Sequence, residues 1–462
     1  MKNMLKWIKE PPKPILKDGM DRNLPGLWMT HDPAAYRDPV SGLYYVYSTG
    51  ALAKRSGDLV EWESLGKVVP GVPKEASDWT GSEDIWAPDI VKAGEEYRLY
   101  CSSSSWGVQR SCIFLAVSKS PEGPFLPKEG GSIVLKTDDC LPVNGIDANI
   151  IEDPKTREQF LLYGSFWGGC YVLPLDKESG LSKDPACREW EPDPETGKPD
   201  HETGRIVGTC VARRPAWMSG GIEGPYMVWN EETGYYYLFV SYGSLKSDYN
   251  IRVGRSKSIT GPFTDLGGRL LTDVEDPDNS VGNLLMAGYT WDEGTAYMAP
   301  GHNSAMHDPD GQWYLFCHIR ERNFTDSPEP STMQVRRMYF SEEGWPYLAP
   351  ENYALDVERE FLEEELTGLY ERIDFIPALP QGISAAAPLR LGKEGYYERG
   401  SIQGKWEIKK RSDKGTLLKA EFGPHHEELH ASVIFDRDRE RETIGLCGID
   451  ERGVVFWARK LP

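Results

Sequence analysis

Apolar and polar positions alternate in short runs along most of the chain, and these runs are rich in Tyr, Val, Phe and Trp. A period of two with that composition predicts β-strands. Five of the runs follow a polar or charged opening of one kind. His31-Asp32-Pro33 precedes YYVYSTG, Trp86-Ala87-Pro88-Asp89 precedes YRLYCSSSS, and Gly145-Ile146-Asp147-Ala148-Asn149 precedes FLLYGSFWGG. Ile222-Glu223-Gly224-Pro225 precedes YYYLFVSYGS, and Gly301-His302-Asn303-Ser304 precedes WYLFCHIR.

A second repeat sets the period. Ser118-Lys119-Ser120 with Gly123-Pro124-Phe125 recurs 138 positions later as Ser256-Lys257-Ser258 with Gly261-Pro262-Phe263. If the copies lie two units apart, a unit spans about 69 residues and five units need about 345. That fills the stretch before the acidic segment from Phe361 to Leu366, so five units fit and seven do not. Radial repetition of four-stranded sheets is a β-propeller. The expected fold is therefore all-β: an N-terminal arm at 1–25, a five-bladed β-propeller at 26–355, a connecting segment at 356–395, and a small C-terminal β-barrel or β-sandwich domain at 396–462. The last is read from GKWEIKKR, TLLKAEFG, LHASVIFD, ETIGLCGID and GVVFWARK, strand-like runs separated by turn residues.

Composition narrows the partners. With 462 residues and 39% hydrophobic side chains the chain can bury a large core, and its 47 Gly and 34 Pro suit many tight turns. A formal charge of -20 leaves no broad basic surface for phosphates or anionic lipids, so neither nucleic acid nor membrane is an expected partner. The first residues, MKNMLKWIKEPPKPILKDG, contain lysines but no continuous apolar run and no small-residue cleavage site, and the expected location is cytoplasmic. Eight scattered cysteines with no C-x-x-C spacing read as reduced structural thiols. His425 and His426 read as part of a solvated turn.

The chemistry sits at the unit openings. Propeller geometry would bring Asp32, Asp147 and Glu223 to one end of a central channel although they are far apart in sequence. Each alone is a common turn residue. Together, two carboxyl groups across a glycosidic bond suffice for hydrolysis, and a third raises the acid's pKa by like-charge repulsion.

The ordered set Trp28-Met29-Thr30-His31-Asp32-Pro33, Trp86-Ala87-Pro88-Asp89, Gly145-Ile146-Asp147, Ile222-Glu223-Gly224-Pro225-Tyr226 and Gly301-His302-Asn303-Ser304 resembles glycoside hydrolase family 43. With YSTG, YGSFWGG, VGRSKSITGPF and GHNS, the chain is most similar to the endo-α-1,5-L-arabinanases of the two-domain type. The resemblance implies cleavage of arabinan or arabino-oligosaccharides by an inverting mechanism. Asp32 would be the general base, Glu223 the general acid, and Asp147 the residue that tunes and orients the acid. In an inverting site the acid and base stand ~6.5 to 9.5 Å apart to admit water. The resemblance also implies that His302 reaches a calcium ion with water completing its shell, and that Trp86, Trp106, Asn149, Ser165, Phe166 and Trp167 bind sugar.

His318 reads as structural, and Arg37-Asp38-Pro39 as a hairpin turn inside the first blade. Gly224 departs from the family pattern, which more often has Ala there. The long acidic segment 178–220 is expected to be able to close one end of a groove. Two alternatives stand beside the endo-acting reading: an exo-acting α-L-arabinofuranosidase or β-xylosidase of the same family, and a non-catalytic propeller that binds carbohydrate.

Overall fold

A computed structural model describes residues 30–215, 221–275, 280–292, 294–322, 331–377, 383–412 and 415–462. The expected N-terminal arm, and Trp28 and Met29 with it, lie outside the described residues. Five antiparallel sheets follow one another along the chain. Blade one runs Ala34–Arg37, Tyr44–Ser48, Leu52–Ser56, Trp62–Lys67. Blade two runs Trp86–Ala93, Glu96–Ser103 and Ser111–Ser118, with Leu126–Pro127 and Ile133–Thr137 both pairing to its third strand. Blade three comprises Asn149–Glu152, Gln159–Tyr163, Cys170–Leu175 and Thr209–Ala212. Blade four comprises Ile222–Asn230, Tyr235–Tyr242, Asn250–Ser256 and Asn283–Met286, and blade five is built on Ala296–His307, Trp313–Glu321, Ser331–Phe340 and Pro346–Leu348. The first strand of each blade packs against the first strands of its two neighbours, which closes the ring around a channel.

The second strands are not half-exposed as strict alternation would have it. Glu96–Ser103, Tyr235–Tyr242 and Trp313–Glu321 are buried along nearly their whole length. A blade is covered on both faces by its neighbours, so its middle strands become continuous apolar runs. Four apolar clusters fill the gaps between blades one and two, two and three, three and four, and four and five. A fifth joins blade five back to blade one through Ala35, Val46, Trp62, Met306, Phe316 and Val335. Among the described residues no strand is exchanged between the first and last blades. Polar ties therefore support this closure: Arg37 pairs with Asp308 at 2.9 Å, the Tyr44 hydroxyl donates to Asp308 at 2.7 Å, and the Ala35 N–H donates to Ser304 Oγ at 3.0 Å. Arg37-Asp38-Pro39 is the expected hairpin turn, held by Ser41 donating to Asp38 Oδ2.

The second domain is a closed barrel of eight strands, and it starts earlier than expected. Gly368–Phe375 and Ala387–Leu391, both inside the presumed connecting segment, are barrel strands. Ser384–Ala385, from the same segment, instead pairs in parallel with Tyr289–Thr290 and extends the sheet of blade five. The acidic run around Gly368–Phe375 and the Pro/Ala/Gly-rich sequence around Ser384–Ala385 and Ala387–Leu391 disguised these strands. Barrel and propeller share a core: Ile373, Phe375, Cys447, Ile449 and Trp457 belong to the cluster that fills the gap between blades four and five. Trp457 meets Tyr289 edge-on at 5.1 Å and Phe375 at 4.6 Å, with the Arg336 guanidinium over its ring at 4.1 Å. Arg459, fully buried, pairs with Glu351 at 3.0 Å, Glu371 at 2.6 Å and Asp436 at 2.9 Å, which ties the end of the propeller to the barrel.

A shared core predicts that the two domains unfold together. Calorimetry of the full chain should show one cooperative transition, and Trp457→Ala should lower its stability by about 3–5 kcal/mol. Two resolved transitions, with only one displaced by the substitution, would contradict the shared core.

Candidate active site

Each innermost strand has, within it or just before it, a residue in the left-handed region at an equivalent position of the blade. These are Asp32 (φ 55°), Ala87 (φ 35°), Asp147 (φ 64°), Gly224 (φ 56°) and His302 (φ 43°), one per blade. In blades two, four and five the register to the second strand shifts at that point, the signature of a β-bulge. A bulge re-aims the side chains around it, here toward the channel mouth. Four of the five positions carry a side chain at a conformation that costs energy for any residue but glycine.

One hydrogen bond recurs around the ring. The Ala87 N–H donates to Thr49 Oγ1 (3.0 Å), the Asp147 N–H to Ser102 Oγ (3.0 Å), the His302 N–H to Ser241 Oγ (2.8 Å) and the Asp32 N–H to His318 Nδ1 (3.2 Å). In every case the acceptor belongs to the preceding blade and stands opposite the residue just before that blade's own left-handed position. In blade three this acceptor position is Gly164, where a Cβ would lie 2.3 Å from the Gly169 carbonyl oxygen. With no side chain there, the Gly224 N–H donates instead to Asp147 Oδ2, at 3.1 Å.

Asp32, Asp147, Glu223 and His302 meet at this mouth and line one cavity of about 810 Å³. Asp32 Oδ1 lies 3.0 Å from His302 Nδ1 and 3.5 Å from His31 Nε2, and Oδ2 accepts from the Thr49 hydroxyl at 2.5 Å. Burial alone would raise the Asp32 carboxyl, but the charges of His302 and His31 and the hydrogen bonds override it and hold it well below the usual carboxylate range. Glu223 accepts from Ser165 Oγ at 2.9 Å. Burial raises its carboxyl; His302 and Ser165 oppose the rise, and the Asp32 charge adds to it. Asp147 is raised too, by burial and by repulsion from Glu223 and Asp32, against the pull of His302. His302 itself is pushed up to about 9: burial would lower it, and the three carboxylates, Asp32 foremost, reverse that. One carboxyl is thus held ionised and two are held toward protonation within a single mouth.

Of the expected sugar-contacting residues, Trp86, Trp106, Ser165, Phe166 and Trp167 line the cavity. Asn149 does not. It is buried beneath the mouth, donates from Nδ2 to Asp89 at 3.0 Å and accepts the Met227 N–H at 2.9 Å, so it joins blades two, three and four. Its place in the motif two residues after Asp147 carried no information on direction, because Asp147 lies in the left-handed region just before the strand and the alternation of faces starts only at Asn149. His318, expected to be structural, is buried beneath the mouth and closes the ring by accepting the Asp32 N–H. Its ring stacks on His31 at 4.4 Å and on Tyr249 at 5.7 Å, and burial together with the His31 charge lowers it to about 3. Reading from sequence also missed Thr49 and the Ser244-Leu245-Lys246 stretch of the wall. For Thr49 the signal was present in YSTG at the end of a strand. The described part of segment 178–220 closes nothing: it packs on the outside of blades two and three, with Trp190, Ile206 and Val207 in their shared core. Gly224 is explained by His302, whose Cγ would lie 2.9 Å from a Cβ at that position, so the Ala of the family pattern would require the imidazole to move. His425 and His426 both face Glu451 in the barrel, away from any cluster of further ligands among the described residues.

Calcium binds six to eight oxygens. The donor atoms that converge here belong to His31, Asp32 and His318, two imidazoles and one carboxylate, and His318 Nδ1 already accepts the Asp32 N–H. His302 Nδ1 faces Asp32. These three donors cannot supply a calcium shell by themselves; the shell expected at His302 would be completed by water, and the chemistry that follows uses the chain's own groups.

Carboxyls pushed to opposite protonation states beneath an aromatic wall, on a five-bladed propeller, define the class as a hydrolase of glycosidic bonds. The chain belongs to the glycosyl hydrolases family 43, whose family model matches residues 28–346. It is 30% identical to an extracellular endo-α-(1→5)-L-arabinanase of Thermotoga petrophila over 82% of this chain and 83% of the relative. It is 28% identical to extracellular endo-α-(1→5)-L-arabinanase 2 of Bacillus subtilis, over 93% and 92% of the two chains. The solved structure of endo-1,5-α-L-arabinanase from Thermotoga petrophila superposes with a TM-score of 0.79 at 25% identity, covering 94% of this chain and 99% of that one. Both relatives are named as extracellular proteins, which overturns the cytoplasmic placement drawn from the first residues. The composition of an amino-terminal segment was too weak a basis for that placement.

Asp89 beneath the mouth offers a test of the buried polar scaffold. It accepts from Asn149 Nδ2 and, at 2.6 Å, from the Ile150 N–H, yet burial still pushes its carboxyl up to about 7. The unfolded chain releases this proton near pH 4, so between about 4 and 7 the folded state binds more protons and this group's contribution to stability falls as pH rises. Asn at this position accepts the same hydrogen bonds and does not ionise. Asp89→Asn should therefore gain on the parent protein in melting temperature as pH is raised from 5 to 8; a gap constant across that range would show that Asp89 does not titrate as described.

Proposed function

We propose that this protein hydrolyses α-1,5-L-arabinofuranosidic bonds within arabinan and arabino-oligosaccharides, with inversion. The observation that carries the assignment of roles is the opposite displacement of Asp32 and Glu223. Asp32, kept ionised by His302 and His31, is the general base that takes a proton from water. Glu223, whose carboxyl is raised by burial and by the Asp32 charge, is the general acid that protonates the departing sugar oxygen. Asp147 and Glu223 repel each other's charge, and by accepting the Gly224 N–H Asp147 fixes the backbone that carries the acid. Both oxygens of Asp32 are engaged, one with His302 and one with Thr49, which suits a carboxylate that stays in place and activates water rather than one that bonds to the sugar. A proton donor has no use in a lectin, so the raised Glu223 speaks against a propeller that only binds sugar. The names of the two relatives support the substrate and the endo mode.

Glu223→Gln should lower turnover of linear arabinan by about 10²–10⁴-fold with the fold intact. The parent protein should release mixed oligomers from the start, and the first products should carry the anomeric configuration opposite to the substrate by NMR. Full activity in the Gln variant would remove Glu223 as the acid, and retained configuration would remove inversion.

One observation favours release of short products from chain ends. Lys246 Nζ of blade four sits over the Trp106 ring of blade two at 5.5 Å, and both line the cavity. The contact crosses in front of blade three and narrows the cleft for a long chain. Such an exposed cation–π pair contributes only about 0.5–1 kcal/mol. Lys246→Ala should accordingly raise activity on polymer relative to trisaccharide by about two- to fivefold if the contact limits access, and leave the ratio unchanged if it does not.

A further inference from the structure

Thr49 of the YSTG stretch follows the second strand of blade one and lines the cavity together with Asp32. Its hydroxyl has two partners. The Ala87 N–H, from blade two, donates to Oγ1 at 3.0 Å, and Oγ1 lies 2.5 Å from Asp32 Oδ2. A backbone N–H can only donate, so it occupies a lone pair of the hydroxyl, and the single hydroxyl proton is left to point at Asp32. The direction of the second hydrogen bond is thereby set by the first.

The four equivalent positions show what is particular to blade one. Ser102, Ser241 and His318 accept the N–H of the next blade, and Gly164 accepts nothing. Ser102 and Ser241 each hold the main chain of a residue whose side chain reaches the mouth, whereas Thr49 holds the main chain of Ala87, which has no functional group to place. Instead its hydroxyl reaches across its own blade to a carboxylate. The Thr49 N–H donates to the His31 carbonyl at 3.0 Å, so the side chain and the loop that carries Asp32 are fastened together at two points. On the other side of the same carboxylate His302 Nδ1 stands 3.0 Å from Oδ1. Asp32 is therefore clamped from both oxygens, by a cation on one and a directed hydroxyl on the other.

We infer that Thr49 is a positioning residue for the reaction: through a hydroxyl oriented by the Ala87 N–H, it fixes the rotation of the Asp32 carboxylate that activates water. The inference rests on the reading of Asp32 as the base. With the hydroxyl gone, Oδ2 loses its donor and the carboxylate can turn about its terminal bond, which is a soft torsion. Misplacing a reacting group costs rate more than affinity. Because Thr49 holds the base and not the sugar, the loss falls on kcat.

The test compares Thr49→Val, which keeps shape and removes the hydroxyl, with Thr49→Ser, which keeps the hydroxyl and removes the methyl group. Kinetics on linear arabinan are measured well below the melting temperature of each variant. Thr49→Val should lower kcat by about 10- to 100-fold with KM within twofold of the parent, the range expected for a lost hydrogen bond to a charged group. Thr49→Ser should restore kcat to within about threefold. A kcat within twofold of the parent in Thr49→Val, a change confined to KM, or equal losses in the Val and Ser variants would overturn the inference. If Thr49→Val does not fold, Thr49→Ala removes the same hydroxyl with less crowding and is read by the same criteria. Asp32→Asn is run alongside. If it retains activity, the reading of Asp32 as base has failed; if it is inactive while Thr49→Val turns over normally, only the positioning role has failed.

Discussion

Everything at the channel mouth depends on the backbone N–H of five residues in the left-handed conformation. A bulge in blades two, four and five, and a position just ahead of the strand in blades one and three, leaves each of these donors outside its own sheet ladder, and a buried N–H without an acceptor costs about 1–3 kcal/mol. Each is accepted by the preceding blade, so the five bonds form a cycle around the channel. The cycle does two things at once. It fastens neighbouring blades at the point where no strand pairs with another, and it sets the direction in which Asp32, Asp147 and His302 enter the mouth. Blade three breaks the pattern with Gly164, and the break is used: the carboxylate of Asp147 takes over as acceptor for Gly224. The residue that adjusts the acid electrostatically is thereby also bonded to the acid's own backbone.

The rest of the molecule keeps that cycle rigid. Five apolar seams hold the blades, and the barrel enters one of them, next to the strands that carry Glu223 and His302. The buried charges there, Arg459 with Glu351, Glu371 and Asp436, add little net stability, since desolvation offsets most of their attraction. What such a network does supply is a single relative placement of the two domains, because any slip would strand an unpaired charge in the core. In this arrangement the barrel acts as a brace on blades four and five.

The sequence carried the fold through its period and the site through its openings, and the reason is the same in both. A propeller repeats one structural unit, so unit length and unit opening recur in the text. Asp32, Asp147, Glu223 and His302 were legible because all four sit at or beside the repeated bulge. What failed to show was direction and partnership. Asn149 lies two residues from Asp147 in the same motif and points beneath the mouth. His318 reads as one more polar residue in an apolar strand, yet it closes the ring. The first barrel strands hid in an acidic run and the Pro/Ala/Gly-rich sequence after it, and the acidic stretch between the last two strands of blade three looked like a lid although its Trp190, Ile206 and Val207 belong to a seam.

The charge balance of the mouth explains why one histidine there serves three carboxyls so unequally. Only Asp32 is within hydrogen-bond reach of His302, so the imidazolium cancels the burial cost of that carboxylate and leaves it ionised. Asp147 and Glu223 feel the same cation at longer range, where it moderates their rise without reversing it. An alanine at 224 would press its Cβ against the imidazole, 2.9 Å from Cγ, and any lengthening of the 3.0 Å contact of His302 with Asp32 in response would weaken the asymmetry. The glycine after Glu223 is thus a condition for keeping acid and base apart, imposed from the neighbouring blade.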